Sequence, residues 1–281
     1  MALKSLRKTE YESPEITVPP SATKMEAGVV CASSSHIGTR AYQQDSTETG
    51  HGRGKLVFGI LCDGMGGLEG GELASSTAAK TLALSLCEMD PTCDIPTFLE
   101  AQAHMLNQMI RALPALNGER GLSGTTLTAA VIINASLYWL SVGDSRIYII
   151  REQEIAVVTR DHSYALTLEQ RVREGKLTAV EAAGDPQRDA LISFLGMEEL
   201  ELIDFNRNAF ALRDGDLVLL CSDGLYRSLC EADILDVIDR HRDDLNECAR
   251  VLPLYAFDKA QGSHDNTSVV LLRYQNGTRS V

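Results

Sequence analysis

The sequence predicts an α+β layered domain built on two antiparallel sheets, and three observations carry that expectation. Six short apolar runs rich in β-branched residues are each bounded by turn signals, the length and composition of strands. Turns as brief as "NAS" (134–136) and "GDS" (143–145) leave no room for a parallel crossover, so the runs they join are antiparallel hairpins. Two stretches of helical period lie together between the first run and the hairpin group, as helices covering one sheet face would. So many apolar strands need a second surface to bury against, hence a second sheet.

In chain order, residues 1–25 are polar and contain prolines without a sustained period, which reads as a flexible tail. From there to residue 275 no Pro/Gly/Ser linker intervenes, so 26–275 reads as one domain, with 276–281 as a C-terminal tail. The first strand is "KLVFGILC" (55–62), followed by helical periods over 71–89 and 95–113. Strands follow at 127–134, 136–143 and 146–152. The remainder alternates a strand at 216–222, a helix at 231–241 and a strand at 267–274.

The chain has 281 residues and a formal net charge of -13, which argues against general affinity for nucleic acid or an anionic membrane surface. An anionic substrate must therefore meet a local positive site. Seven scattered cysteines without a C-x-x-C pair suggest neither a disulfide framework nor a zinc knuckle, and Cys62 and Cys221 read as buried small hydrophobes. No apolar run is long enough to span a membrane and no signal-peptide core is present, so the expected setting is the bacterial cytoplasm.

The chemistry lies in where the aspartates fall. Asp63 follows "LVFGILC", Asp223 follows "LVLLCS", Asp144 sits in a hairpin turn and Asp265 directly precedes "NTSVVLLRY". An Asp-Gly pair alone is most simply a turn, but four such carboxylates on one sheet system form an all-oxygen set suited to a hard divalent cation, Mg²⁺ or Mn²⁺. Gly64, next to Asp63, gives the backbone the close approach and the φ that a carbonyl ligand needs. The glycines of "DGMGGLEGG" could instead cradle a phosphate, but neither G-x-x-x-x-G-K-[ST] nor a dinucleotide fingerprint is present. Upstream, Arg40 and Asp45 add a guanidinium fork for phosphate and a further carboxylate.

The ordered strings "GTRAYQQD", "DGMGG", "GELAS", "SGTT", "VGDSR", "TRDHS", "EGKLT", "SDGL" and "HDNTSVV" resemble the motifs of the PP2C-like (PPM) metal-dependent protein phosphatases, bacterial branch, over residues 28–274. The resemblance implies a central β-sandwich flanked by helix pairs, with two metal ions at one end. It implies that Asp63 bridges both ions, that Gly64 gives a carbonyl, and that Asp223, Asp265 and Asp45 complete the ligands. Arg40 would bind substrate phosphate and Asp144 a weaker third ion. Residues 164–190 resemble the family's flap, with Thr178 as a helix N-cap.

The function so implied is hydrolysis of phosphoserine and phosphothreonine in proteins by a two-metal-activated water, opposing a bacterial Ser/Thr kinase. Two alternatives share the fold: a non-catalytic metal-binding module, and a small-molecule phosphatase. His162 and His264 are tempting acids, but neither is assigned. Three departures from the family pattern stand out: Gln43 in place of Asn, Asp185 and Phe194 in place of His and Arg, and Arg227 where an acid is usual. A cation at 227 should weaken a third ion at Asp144 by repulsion.

Overall fold

Strands that read as unbroken apolar runs are those buried on both faces, and they fix the layer order. The computed structural model describes residues 28–66, 70–114, 123–260 and 262–276, so the expected tail at 1–25 and most of that at 276–281 lie outside the described residues. One sheet runs β1 (Val29–His36), β12 (Thr267–Tyr274), β11 (Leu217–Cys221), β7 (Arg146–Arg151), β8 (Glu154–Val157). The other runs β10 (Phe210–Ala211), β6 (Ser136–Val142), β5 (Leu127–Ile133), β3 (Leu56–Met65), β2 (Asp45–His51). Two short strands, β4 (Gly124–Thr125) and β9 (Asp204–Phe205), pair with β3 and β6. Among the described residues every strand ladder is antiparallel.

Successive side chains of a strand point to opposite faces. In β3, Leu56, Phe58, Ile60 and Cys62 pack outward against helices α1 (Gly70–Glu88) and α2 (Ile95–Arg111), whereas Val57 and Leu61 face the other sheet. In β12, Val270 and Leu272 face β3 while Val269 and Leu271 pack under helices α6 (Glu231–Arg240) and α7 (Leu245–Lys259). The result is four layers, helices on sheet on sheet on helices. Burying each of these Leu, Ile or Val side chains contributes ~1.5–3 kcal/mol. At Gly59 the sheets come so close that an added Cβ would lie 2.7 Å from Val270 Cγ1.

Local chemistry sets the ends. Asp94 caps α2 by accepting from Thr97 N at 3.1 Å, with Pro96 in the first turn, where its missing N–H costs nothing. Asp244 caps α7 by accepting from the amides of Asn246 and Glu247. Between the strand groups lie α3 (Ala165–Arg173) and α4 (Ala179–Ala183), and Thr178 caps α4 in a reciprocal box with Glu181. One further short helix, α5 (Asp223–Tyr226), follows β11 directly.

Two expectations shift. The first strand continues through Asp63 to Met65, because its last residues pair with β4, so Asp63 lies within the strand rather than after it. Strands β1 and β2 and helix α7 carry no clear periodic signal: β1 and β2 are half polar edge strands, and α7 continues through Pro253, a residue that reads as a helix breaker. Among the described residues no helix is long and apolar enough to cross a membrane.

Candidate metal centre

The pairing of β2 with β3 sets Asp45 opposite Asp63. Directly opposed residues of an antiparallel pair hold their Cβ atoms about 4.5–5.5 Å apart, and like charges so placed repel. A second pair of neighbours, β11 and β12, brings Asp223 just past the end of one strand and Asp265 just before the start of the other. The turn from β6 to β7 adds Asp144 after Gly143, whose φ of 107° suits glycine. A cavity of about 460 Å³ opens at this end of the sandwich, walled by Arg40, Asp63, Gly64, Asp144, Asp223, Arg227 and Asp265. Asp45 is only 7 % exposed. Arg40, Asp45, Asp63, Gly64, Asp144, Asp223 and Asp265 thus come to one end of the fold.

Burial and mutual repulsion make the carboxylates hard to ionise without a cation. Burial, then the negative charges of Asp45, Asp223, Asp144 and Asp265, holds Asp63 well above the usual carboxylate range. Burial pushes Asp45 up to about 7, against hydrogen bonds from Ser268 and Ser222 and with further repulsion from Asp223 and Asp265. Asp144 is raised by burial to about 6, with Asp223 adding and Arg227 opposing. Asp223 is raised by burial, opposed first by Arg227.

Two arginines supply what positive charge there is. Arg40 Nη2 lies 2.6 Å from Asp265 Oδ2, Arg227 Nε lies 2.9 Å from Asp223 Oδ2, and Arg227 Nη2 lies 3.7 Å from Asp144 Oδ2. Among the described residues no three His, Cys, Asp or Glu side chains close into a ready metal cage. Even so, Asp45 Oδ1 and Asp223 Oδ1 are buried without a hydrogen-bond partner. A buried orphan carboxylate oxygen is costly, so the donor set fits hard divalent ions, for which all-oxygen ligands are the preferred chemistry.

Gly64 earns its place by space and not by φ, which corrects the expectation of a special conformation. An added Cβ would lie 2.2 Å from Gly71 O and 2.6 Å from Gln44 O, and Gly64 N donates to that same Gln44 carbonyl at 3.1 Å. Gly64→Ala is therefore expected to cost at least ~2 kcal/mol and to lower metal affinity, measured by thermal melts and Mn²⁺ titration.

Several supporting residues escaped individual notice although all but Tyr226 lie in the motif strings. Thr126 Oγ1 accepts from Asp63 N at 2.9 Å, while Thr126 N and Thr125 Oγ1 donate to Asp63 O. Ser222 Oγ donates to Asp45 Oδ2 at 2.8 Å and accepts from Ser268 N. Asn266 ties down the loop carrying Arg40: its Nδ2 donates to the carbonyls of Ile37 and Tyr42, and its Oδ1 accepts from Gln44 N. Tyr226 donates to Asp144 O at 3.0 Å beneath Arg146, which is held by Asp161 through both carboxylate oxygens. Beyond those strings, the sequence signal at Ser222 and Thr126 is a polar residue adjoining an apolar strand run. Ser222→Ala leaves Asp45 less satisfied, so a loss of about 1–3 kcal/mol in stability and of about tenfold or more in metal affinity is expected, read by melting and by isothermal titration.

Of the departures, Gln43 has a clear role: its Oε1 accepts from Asp45 N at 3.0 Å. Asp185 caps its own turn by accepting from Gln187 N, and Phe194 lies over Gly124. His162 is buried, its Nδ1 accepts from Gly143 N at 3.2 Å, and burial lowers it to about 4, so it fastens the turn as a neutral ring. His264 is buried edge-on to Phe257. The thiols of Cys62 and Cys221 are buried and pushed far up, unsuited to nucleophilic attack. A larger cavity, about 560 Å³, lies at the opposite end of β11, floored by Ile150, Leu217, Leu235 and Ile238, and holds none of these groups.

Known proteins are similar to this chain in sequence and in fold. The family model for protein phosphatase 2C matches residues 21–181. The serine/threonine protein phosphatase PstP of Mycobacterium tuberculosis is 35% identical over 199 residues, 71% of this chain and 36% of PstP, so the chain spans about a third of that relative. Protein phosphatase PhpP of Streptococcus pneumoniae is 31% identical over 215 residues, 76% of this chain and 84% of PhpP. Among solved structures, the S. agalactiae serine/threonine phosphatase superposes with a TM-score of 0.77 at 28% identity, covering 88% of this chain and 100% of its own. The PstP catalytic domain in complex with 2 manganese ions gives 0.70 at 29% identity, covering 88% and 99%.

Proposed function

The chain belongs to the protein phosphatase 2C family, and on that premise we propose that it is a metal-dependent phosphatase hydrolysing phosphoserine and phosphothreonine in proteins. The observation that carries the reading is the convergence of Asp45, Asp63, Asp223 and Asp265 at one end of the sandwich, with orphan buried oxygens on two of them and Arg40 at the rim. A manganese-bearing relative of the same fold supports Mn²⁺, and Mg²⁺ suits the same oxygen donors.

In this reading Asp63, the Gly64 carbonyl, Asp45, Asp223 and Asp265 hold two divalent ions. Such ions supply the charge that lowers the pKa of an attacking water and polarises the phosphoryl group. The chain's own residues do the rest. Arg40, 54% exposed at its side chain, presents its free donors to two equatorial phosphoryl oxygens while Asp265 holds its other edge. Ser222 and Thr126 fix Asp45 and the backbone of Asp63, and Asn266 fixes the height of the arginine loop. No side chain forms a bond to phosphorus, in keeping with the burial of Cys62 and Cys221, the cysteines nearest in sequence to Asp63 and Asp223. A third ion at Asp144 has to compete with the Arg227 guanidinium.

We take residues 26–275 as one catalytic domain, 164–190 as a flap beside its cavity, the cytoplasm as its setting, and a Ser/Thr kinase or its targets as partner. Turnover of a phosphothreonine peptide is expected with Mn²⁺ and none with EDTA. Turnover that persists in EDTA, or none at any metal concentration, refutes the reading.

A further inference from the structure

A second hollow of about 370 Å³ adjoins the metal-ligand cavity and shares Arg40, Arg227, Asp223 and Asp265 with it. Beyond the shared wall it gains Lys259, Ser228 and Ser263. Its wall therefore carries three cations against two carboxylates, in a chain whose net charge is -13. Both carboxylates already face guanidinium groups, Asp265 that of Arg40 and Asp223 that of Arg227.

The cations are placed, not merely nearby. Arg227 follows α5 with its amide bonded to Asp223 O at 3.0 Å, and its side chain remains 49% exposed. Lys259 ends α7, where the helix dipole favours a cation, and is held by Asp233 Oδ1 at 2.6 Å and by the Tyr255 ring. An ammonium has three donors and a guanidinium five, so each retains donors beyond these ties.

We propose that this hollow is a subsite for a second anionic group on the substrate, an acidic or phosphorylated residue flanking the scissile phosphoresidue. This rests on the phosphatase reading and deepens it. The two hollows share a wall, so the second anion belongs on a residue flanking the first. The shared chemistry is anionic oxygen, and the substrate arms below separate carboxylate from phosphate.

The test compares phosphothreonine peptides whose flanking position carries alanine, glutamate, phosphoserine or lysine. Turnover is measured as kcat/KM with Mn²⁺, and binding separately by fluorescence polarisation in EDTA, for the full chain and for Lys259→Ala and Arg227→Ala, each checked for folding by its melting curve. Both anionic peptides are expected to be favoured over alanine by about tenfold and lysine disfavoured, an advantage that shrinks at high salt. Each variant should cut that advantage to about threefold or less, the range of one exposed ion pair. Preference for phosphoserine over glutamate identifies multiply phosphorylated segments; equal preference identifies acidic ones. Equal kcat/KM for alanine and anionic peptides, or an advantage intact in both variants, overturns the subsite. Preferential binding in EDTA without turnover in Mn²⁺ overturns the phosphatase reading and leaves the subsite standing.

Discussion

Asp63→Asn is expected to lower Mn²⁺-dependent turnover by at least about a thousandfold, the loss of a central electrostatic group, and at the same time to make the metal-free protein more stable. Asp63 is packed among four other carboxylates that raise it, with Asp45 directly across the ladder. Without a cation its charge is a burden to the fold, and an amide of the same shape removes both the repulsion and the burial of charge. A gain of about 1–2 kcal/mol in EDTA is expected, seen as a higher melting temperature, together with loss of Mn²⁺ stabilisation. A variant that melts lower than the parent in EDTA, or retains turnover, contradicts this account of the site.

The metal-free protein should also lose stability as pH rises from about 5 to 8, opposite to what most salt-bridged carboxylates produce. Asp45, Asp63, Asp144 and Asp223 all have folded values raised above the unfolded one. Over the interval between the two values the folded state binds more protons than the unfolded, so stability is full below the unfolded value and is lost as pH rises through the folded one. For Asp45 the loss is complete near 7, and for Asp144 near 6. His162 and His51 work against this: burial lowers both, His162 to about 4, so they stabilise increasingly up to the ordinary imidazole range, but they are two groups against these four carboxylates and Asp204, which burial also raises. Groups with lowered values, such as Asp233 at about 2, finish titrating below this interval. Melting in EDTA at pH 5 and pH 8 should show the lower value at pH 8, and saturating Mn²⁺ should reverse the order, since binding requires the ionised carboxylates. A melting temperature in EDTA that rises over the same interval sinks the prediction.

Legibility followed burial. The runs at 55–62, 127–134, 136–143 and 267–274 were readable because both of their faces meet cores, so nearly every position is apolar. β1 and β2 were not: "SSSH" and "STETGH" are half-exposed edges whose strand identity comes from partners distant in sequence. Helix α7 was hidden by Pro253, which the buried packing of Cys248, Leu252 and Ala256 overrides.

By itself the sequence determined the layered α+β class, a set of aspartates at strand ends suited to a hard cation, and the lack of a G-x-x-x-x-G-K-[ST] loop, since these depend on local pattern and residue type. That Cys221, with five residues between it and Arg227, is buried and no nucleophile came from the structure. Only the tertiary structure decided that Asp45 faces Asp63 across a ladder, that Gly64 is demanded by crowding and not by φ, and that Arg227 spans Asp223 and Asp144. The same holds for the serine, threonine and asparagine that support the carboxylates. The physical reason is that strand register and hydrogen-bond partners link residues tens to hundreds of positions apart, and a chain read one segment at a time carries no term for them.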